Sequence, residues 1–183
     1  DADGDGYGAP DAHEETCDPG PGLVVDGTDC DDAAAVTHPG ADERCDGADN
    51  DCDGAVDEDA VDATAWYPDL DLDGFGDPGA GLVVCEAPEG FVSDATDCDD
   101  ADAEIHPGSV EVCDPPDFVL DNDCNGLADD ADPGVDLTTG TEWFADTDRD
   151  GFGDPASSTI TCAVPSTHVA DNTDCDDARV GVN

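Results

Sequence analysis

Fifty-one Asp and Glu residues stand against three basic ones, all arginine (Arg44, Arg149, Arg179), giving a net charge of −48 over 183 residues. Two carboxylates a few ångströms apart repel by roughly 1 kcal/mol even at the dielectric of water. Neighbours within one loop lie inside the Debye length of about 8 Å, so ordinary salt does not remove that cost. A compact chain of this charge needs cations as part of its structure. Nucleic acid and anionic lipid are both repelled by it.

Apolar burial cannot supply the missing cohesion. Leu, Ile, Val and Phe make 30 of the 183 residues, Met is absent, and there are two Trp and two Tyr. That is below the roughly 20 % at which a highly charged chain usually stays disordered. Chains with such a deficit are held by disulfides or metals. Ten cysteines (Cys17, Cys30, Cys45, Cys52, Cys85, Cys98, Cys113, Cys124, Cys162, Cys175) at repeated spacing, without zinc-type CxxC pairs, point to disulfides and an oxidising, extracellular or cell-surface location. No stretch approaches the 18 or so apolar residues of a membrane span. The absence of an initiator Met and a signal peptide suggests a mature or internal fragment.

Self-similarity organises the chain. Asp73-Gly74-Phe75-Gly76-Asp77-Pro78 returns 77 residues later as Asp150-Gly151-Phe152-Gly153-Asp154-Pro155, together with Trp66 as Trp143, Cys85 as Cys162 and Asp97-Cys98-Asp99-Asp100 as Asp174-Cys175-Asp176-Asp177. Asp5-Gly6-Tyr7-Gly8, Cys17, Asp29-Cys30-Asp31-Asp32, His38-Pro39-Gly40 and Cys45 precede their counterparts by 68 residues, and an insertion at Pro116 to Leu120 widens that offset to 72. The repeat units are 1–65 (entered mid-unit), 66–142 and 143–183 (truncated). The expected fold is mostly irregular: elongated, calcium- and disulfide-stabilised tandem repeats without a large hydrophobic core. Short strands begin at Trp66-Tyr67 and Trp143-Phe144, with another at Leu82 to Val84. One- to two-turn helices are expected at Ala33 to Thr37 and Ala101 to Ile105, capped by Asp and stopped by Pro.

The repeat places the carboxylates in loops. Calcium takes six to eight oxygens at roughly 2.3–2.6 Å, and a loop meets this with carboxylates at positions 1, 3 and 5, Gly at 6 and a carbonyl at 7. Three leading loops fit: Asp1, Asp3, Asp5 with Tyr7; Asp69, Asp71, Asp73 with Phe75 and Asp77; Asp146, Asp148, Asp150 with Phe152 and Asp154. Two trailing loops follow in the second half of a unit: Asp49, Asp51, Asp53 with Asp57, and Asp121, Asp123, Asn125 with Asp129. An EF-hand closes its ion with Glu at position 12, but here that position holds Ala80, Ser157 or Ala60. Oxygens must therefore come from elsewhere. The first candidates are Asp29, Asp31, Asp32; Asp97, Asp99, Asp100; and Asp174, Asp176, Asp177, with Glu43 and Glu111 behind them. Five to eight calcium ions are expected. Self-contained disulfides would be Cys17–Cys30, Cys85–Cys98, Cys162–Cys175, Cys45–Cys52 and Cys113–Cys124.

Asp29-Cys30-Asp31-Asp32, Pro39-Gly40, and Glu43-Arg44-Cys45-Asp46-Gly47-Ala48-Asp49-Asn50-Asp51-Cys52-Asp53-Gly54 through Asp57-Glu58 resemble the MopE-type metal-binding repeat of bacterial surface and secreted proteins. The leading loops also resemble thrombospondin type 3 repeats and EF-hand-like calcium loops. These resemblances imply extracellular metal binding and surface placement, and no reaction.

The expected role is an extracellular calcium-binding structural protein forming a stalk, fibril or adhesive array, its partners being copies of itself. The alternatives are a calcium-dependent spacer or ligand-binding module of a larger secreted protein and, less favoured, a copper-binding surface protein. Soft-metal sites want Cys, Met or His, and the four histidines form no recurring cluster. An enzyme is not expected. Thr138, Thr139, Thr141, Ser157, Ser158 and Thr159 are candidate O-glycan positions.

Overall fold

The structure, a computed structural model, describes residues 1–12, 14–17, 20–115 and 117–180. Of the insertion read at Pro116 to Leu120, Pro116 lies outside the described residues, as does His13. Contacts gather the chain into two compact units, Asp1–Pro68 with Gly79–Ser93, and Asp69–Pro78 with Asp94–Asn183. Leading loop 69–77 thus belongs to the second unit.

Regular structure is sparse, as a chain rich in Asp, Gly and Pro requires. The first unit contains one antiparallel sheet of three short strands, β1 (Thr64–Pro68), β2 (Leu82–Val84) and β3 (Phe91–Val92), in the order β2-β1-β3. Trp66 faces Leu82 across the ladder, and its indole nitrogen donates to the Val84 carbonyl at 3.2 Å. Pro68, which has no N–H for the ladder, sits at the strand's end. Gly81 is required beside the sheet, because a Cβ there would come within 2.6 Å of the Tyr67 ring.

The second unit repeats the sheet with β4 (Thr141–Ala145), β5 (Ser158–Thr161) and β6 (His168–Val169), in the order β5-β4-β6. Trp143 pairs with Thr159 and its indole donates to the Thr161 carbonyl at 3.4 Å. Two single-turn 3-10 helices, Asp129–Ala131 and Leu137–Thr139, complete it.

Three expectations from the sequence are corrected. No helix forms at 33–37 or 101–105. Isolated turns run there instead, closed by Ala34 N–H to Asp31 O, Thr37 N–H to Ala34 O and Ile105 N–H to Asp102 O. Each segment is too short to repay helix nucleation, and its leading Asp is engaged in loop contacts described below. The self-contained disulfides are also not formed. The bonds are Cys30–Cys52 and Cys45–Cys85 in the first unit, and Cys98–Cys124 and Cys113–Cys162 in the second. Cys17 and Cys175 are free and exposed, against the expectation that all ten would be bonded.

The pattern joins the second cysteine of a repeat to the fourth, and the third to the first of the next repeat. The physical reason is that the Asp-Cys-Asp-Asp segment folds back against the trailing loop. Cys30 N–H points at the Cys52 sulfur at 3.2 Å, and Cys98 N–H at the Cys124 sulfur at 3.2 Å. Closing 22 to 49 residues contributes roughly 3–4 kcal/mol per bond on the loop-entropy model.

The interior is made of acids. Among the described residues the buried apolar side chains are Ala60, Ile105 and Phe144, while Asp29, Glu43, Asp69, Asp97, Glu111, Asp132, Asp146 and Asp174 are buried carboxylates. Val25, Leu70, Leu72, Val119 and Val180 lie exposed on the outside.

Candidate metal centres

Each loop curls on hydrogen bonds from its own backbone to its own carboxylates. In loop 69–77, Asp69 Oδ2 accepts from Gly74 N–H (3.2 Å), Asp71 Oδ1 from Asp73 N–H (3.2 Å) and Asp73 Oδ1 from Phe75 N–H (2.8 Å). Loop 146–154 repeats the set through Asp146, Asp148 and Asp150, whose Oδ1 accepts from Phe152 N–H at 3.1 Å. In loop 1–7, Asp5 Oδ1 accepts from Tyr7 N–H at 2.8 Å. One oxygen of each such carboxylate thereby holds the turn.

The glycine at position 6 has the positive φ that the turn needs: Gly6 103°, Gly54 99°, Gly74 100°, Gly126 91° and Gly151 95°. Position 4 is left-handed too, and there only one loop has glycine. Gly4 (87°), Cys52 (59°), Leu72 (69°), Cys124 (56°) and Arg149 (65°) occupy it.

The oxygens left over converge inward. Buried carboxylate oxygens without a hydrogen-bond partner belong to Asp3, Asp5 and Asp29 in one centre, and to Asp69, Asp71, Asp73 and Asp97 in a second. Asp148 and Asp174 supply them in a third, and Glu58 in a fourth. Asp29, Asp97 and Asp174 are 1 %, 3 % and 4 % exposed. An unpaired buried carboxylate is too costly to stand alone, so these atoms fit a hard, multiply charged cation with oxygen ligands. Asp1, Asp3 and Asp5 each place an oxygen within 4.8 Å of the others, as do Glu43, Asp51 and Glu58.

The three carboxylates of each Asp-Cys-Asp-Asp segment, grouped in the sequence as common ligand candidates, divide the work. The first closes the centre. Asp29, Asp97 and Asp174 dock by donating their own N–H to the carbonyl of the position-8 glycine, Gly8 (3.1 Å), Gly76 (3.4 Å) and Gly153 (3.2 Å). The last clamps the loop's outer backbone: Asp32 Oδ1 accepts from Ala2 N–H (3.0 Å), Asp100 Oδ1 from Leu70 N–H (2.8 Å) and Asp177 Oδ1 from Thr147 N–H (2.7 Å). The middle one serves the turn or the surface. Asp31 accepts from Ala33 N–H, Asp99 donates its N–H to Asp97, and Asp176 lies 3.5 Å from the exposed Arg179.

The trailing loops close differently. Glu43 Oε1 accepts from Asp51 N–H (2.7 Å) and Oε2 from Asp57 N–H (3.0 Å). Glu111 does the same for Asn122 N–H and Asp129 N–H, each at 2.8 Å. The position-9 residues turn to backbone donors: Asp57 Oδ1 accepts from Asp46 and Gly47, Asp129 Oδ1 from Asp114, and Asp154 Oδ1 from Ala156. Loop 49–57 takes Glu58, at position 10, as its inward oxygen. In loop 121–129 the equivalent Asp130 instead accepts from Cys162 and Ala163 N–H, each at 2.8 Å. That loop has a carboxylate at position 12 after all, the buried Asp132.

Glu58, Asp132 and the buried amides Asn50 and Asn122 were not among the sequence candidates. Asn50 Oδ1 accepts from Arg44 N–H and Asn122 Oδ1 from Val112 N–H. The signal existed for the amides, since Asn50 and Asn122 recur at the 72-residue offset, but not for Glu58 and Asp132, whose counterparts are Asp130 and Ala60.

Electrostatics mark the same places. Burial pushes the Asp97 carboxyl above its ordinary value, and the charges of Asp73, Asp71 and Asp100 add to this against a hydrogen bond from Asp99. Burial, then the charge of Asp150, raises Asp148. At Glu58 a bond from its own backbone N–H pulls downward, but burial and the charges of Asp53, Glu43 and Asp51 together raise it. Asp32 and Asp177 go the other way, held low by their bonds to Ala2 and Thr147. The closing acid Asp97 thus resists ionisation, and the clamping acids Asp32 and Asp177 favour it.

Residues 29–58 and 97–130 match the family model Cu-binding MopE, described as "Putative metal-binding motif". The chain therefore carries two copies of this metal-binding motif, as the resemblance in the sequence implied. The copies begin at two of the three closing segments, at Asp29 and Asp97, and reach to Glu58 and Asp130, while the three leading loops and the segment 174–177 lie outside them. No curated protein and no solved structure matches the chain.

Proposed function

We propose, for a chain carrying two copies of a metal-binding motif, that it is an extracellular calcium-binding structural repeat protein. Its carboxylate loops fold around calcium, and the rigidified array serves as a stalk, fibril or adhesive surface layer built from copies of itself. The observation that carries this reading is the recurrence of unpartnered, buried carboxylate oxygens at equivalent places in successive repeats. Every one of those oxygens is a hard donor, which suits calcium over a soft metal. Ion binding here is folding free energy, because the acids fill the place of an apolar core. Four disulfides support a place outside the cell. No reaction is proposed.

The test is circular dichroism and sedimentation of the chain with calcium and after EDTA. Loss of compactness and of thermal stability on chelation is expected. Indifference to chelation would refute the reading. Electron microscopy separates an array from a spacer module of a larger secreted protein, since filaments of the chain are expected only for the array.

Copper is the second reading, favoured by the name of the matching motif. Against it, His38 and His106 lie stacked on Tyr7 and Phe75, with Nδ1 near the carbonyls of Pro39 and Pro107. Tight copper uptake by calcium-saturated protein, without displacement of calcium, would favour a separate copper site.

A further inference from the structure

Asn125 differs in one atom from the residue at position 5 of every other loop. In the leading loops Asp5, Asp73 and Asp150 bind the position-7 N–H through Oδ1, and in the trailing loop 49–57 Asp53 Oδ1 binds Ala55 N–H at 2.9 Å. At Asp5 and Asp73 that bond leaves the second carboxylate oxygen buried and free for the centre. Asn125 keeps the bond, with Oδ1 accepting from Leu127 N–H at 2.8 Å. What it then turns inward is an amide nitrogen, which has protons and no lone pair to give. That nitrogen donates to Oδ2 of the buried Asp132 at 2.5 Å, while Asp132 Oδ1 accepts from Gly134 N–H.

The amide cannot be turned over without cost. Reversed, it would set two N–H groups face to face at Leu127 and two oxygens face to face at Asp132. Among the described residues, each leading loop has a buried carboxylate oxygen without a partner, and loop 49–57 has that of Glu58 beside it, whereas loop 121–132 has none. There Asp132 is bonded to Asn125, and Asp130, the counterpart of Glu58, accepts from Cys162 and Ala163 N–H.

We infer that loop 121–132 is held shut by the Asn125–Asp132 hydrogen bond where the other loops hold an ion, so that Asn125 sets the affinity of this centre apart. The inference rests on the calcium reading above. Four loops bind calcium tightly, and the fifth binds at least about tenfold more weakly, because an ion must first displace a charge-assisted hydrogen bond.

Equilibrium dialysis of the whole chain against radioactive calcium, with circular dichroism to check folding, provides the test. Wild type is expected to show four tight ions and one weak one. Asn125→Asp restores the missing oxygen and is expected to give five tight ions. Asp132→Ala is expected to leave the four tight ions unchanged. Five equivalent ions in wild type, no added tight ion in folded Asn125→Asp, or loss of a tight ion in Asp132→Ala would each overturn the inference while leaving the calcium reading intact. Absence of any bound calcium would overturn both.

Discussion

Tyr7 lies flat against His38, with ring centroids 5.1 Å apart and planes 5° from parallel, and Phe75 repeats the arrangement on His106 at 5.2 Å and 8°. The ring belongs to position 7 of a leading loop. The imidazole belongs to the turn whose backbone N–H donates to the trailing loop, His38 to Asn50 O (2.8 Å) and His106 to Asn122 O (3.0 Å). One aromatic contact thus ties the two loop types of a repeat together.

Removing that contact is expected to loosen the second unit without deleting a ligand, since position 7 offers its carbonyl whatever its side chain. Phe75→Ala should lower calcium-loaded stability by about 1 kcal/mol, the scale of a stacked ring pair. Phe75→Tyr should change little. Thermal unfolding in saturating calcium checks this, and equal midpoints for all three proteins would count against the contact.

Asp97→Asn separates the acid's two effects. With calcium present, the loss of an inward charged oxygen at loop 69–77 should weaken that ion by about tenfold or more. Without calcium the same change removes a charge set against Asp71, Asp73 and Asp100, so the metal-free chain should be no less stable, or slightly more. Calorimetric titration and urea unfolding in both states read the two signs. A mutant weaker in both states would mark Asp97 as purely structural.

Acidification should erase the difference between metal-loaded and metal-free protein. Asp97, Asp148 and Glu58 have folded values raised above ordinary ones. In metal-free protein their contribution to stability is therefore complete below about pH 4, near the unfolded value, and is lost as pH rises through the raised folded values. Asp32 and Asp177, with lowered values, contribute above about pH 4 and lose that as pH falls. In loaded protein, protons compete with calcium for the raised groups. The gap in melting temperature between calcium-saturated and dialysed metal-free protein should thus shrink from pH 7 towards about pH 4.5. A constant gap would exclude proton competition at these acids.

Leu72 is a leucine at φ 69°, and its side chain is 76 % exposed. The left-handed conformation costs an L-residue roughly 1–2 kcal/mol, and little packing is lost on truncation. Leu72→Gly should stabilise the loop by about 0.5–1 kcal/mol, after the greater entropy of glycine in the unfolded chain is deducted. Urea unfolding of the calcium-loaded protein measures it, and a destabilised mutant would show that the leucine side chain matters.

Peptide mapping without reduction should find Cys30–Cys52, Cys45–Cys85, Cys98–Cys124 and Cys113–Cys162, with Cys17 and Cys175 alkylated. A Cys17–Cys30 or Cys45–Cys52 peptide would contradict the fold.

The sequence by itself determined that acids, and not apolar residues, had to form the interior. It also set out the loops, because local turn chemistry at Asp-x-Asp-x-Asp-Gly depends only on neighbours in the chain. Strands at Trp66, Leu82 and Trp143 were legible for the same reason. What the tertiary structure decided is everything that joins distant segments. It chose Asp29, Asp97 and Asp174 as closing acids and Asp32, Asp100 and Asp177 as clamps, although all six look alike in sequence. It brought Glu58 inward and turned Asp130 towards Cys162, and it paired cysteines across repeats. Each of these choices depends on which backbone donor comes within about 3 Å of which oxygen once the loops dock, a distance that spacing along the chain does not encode.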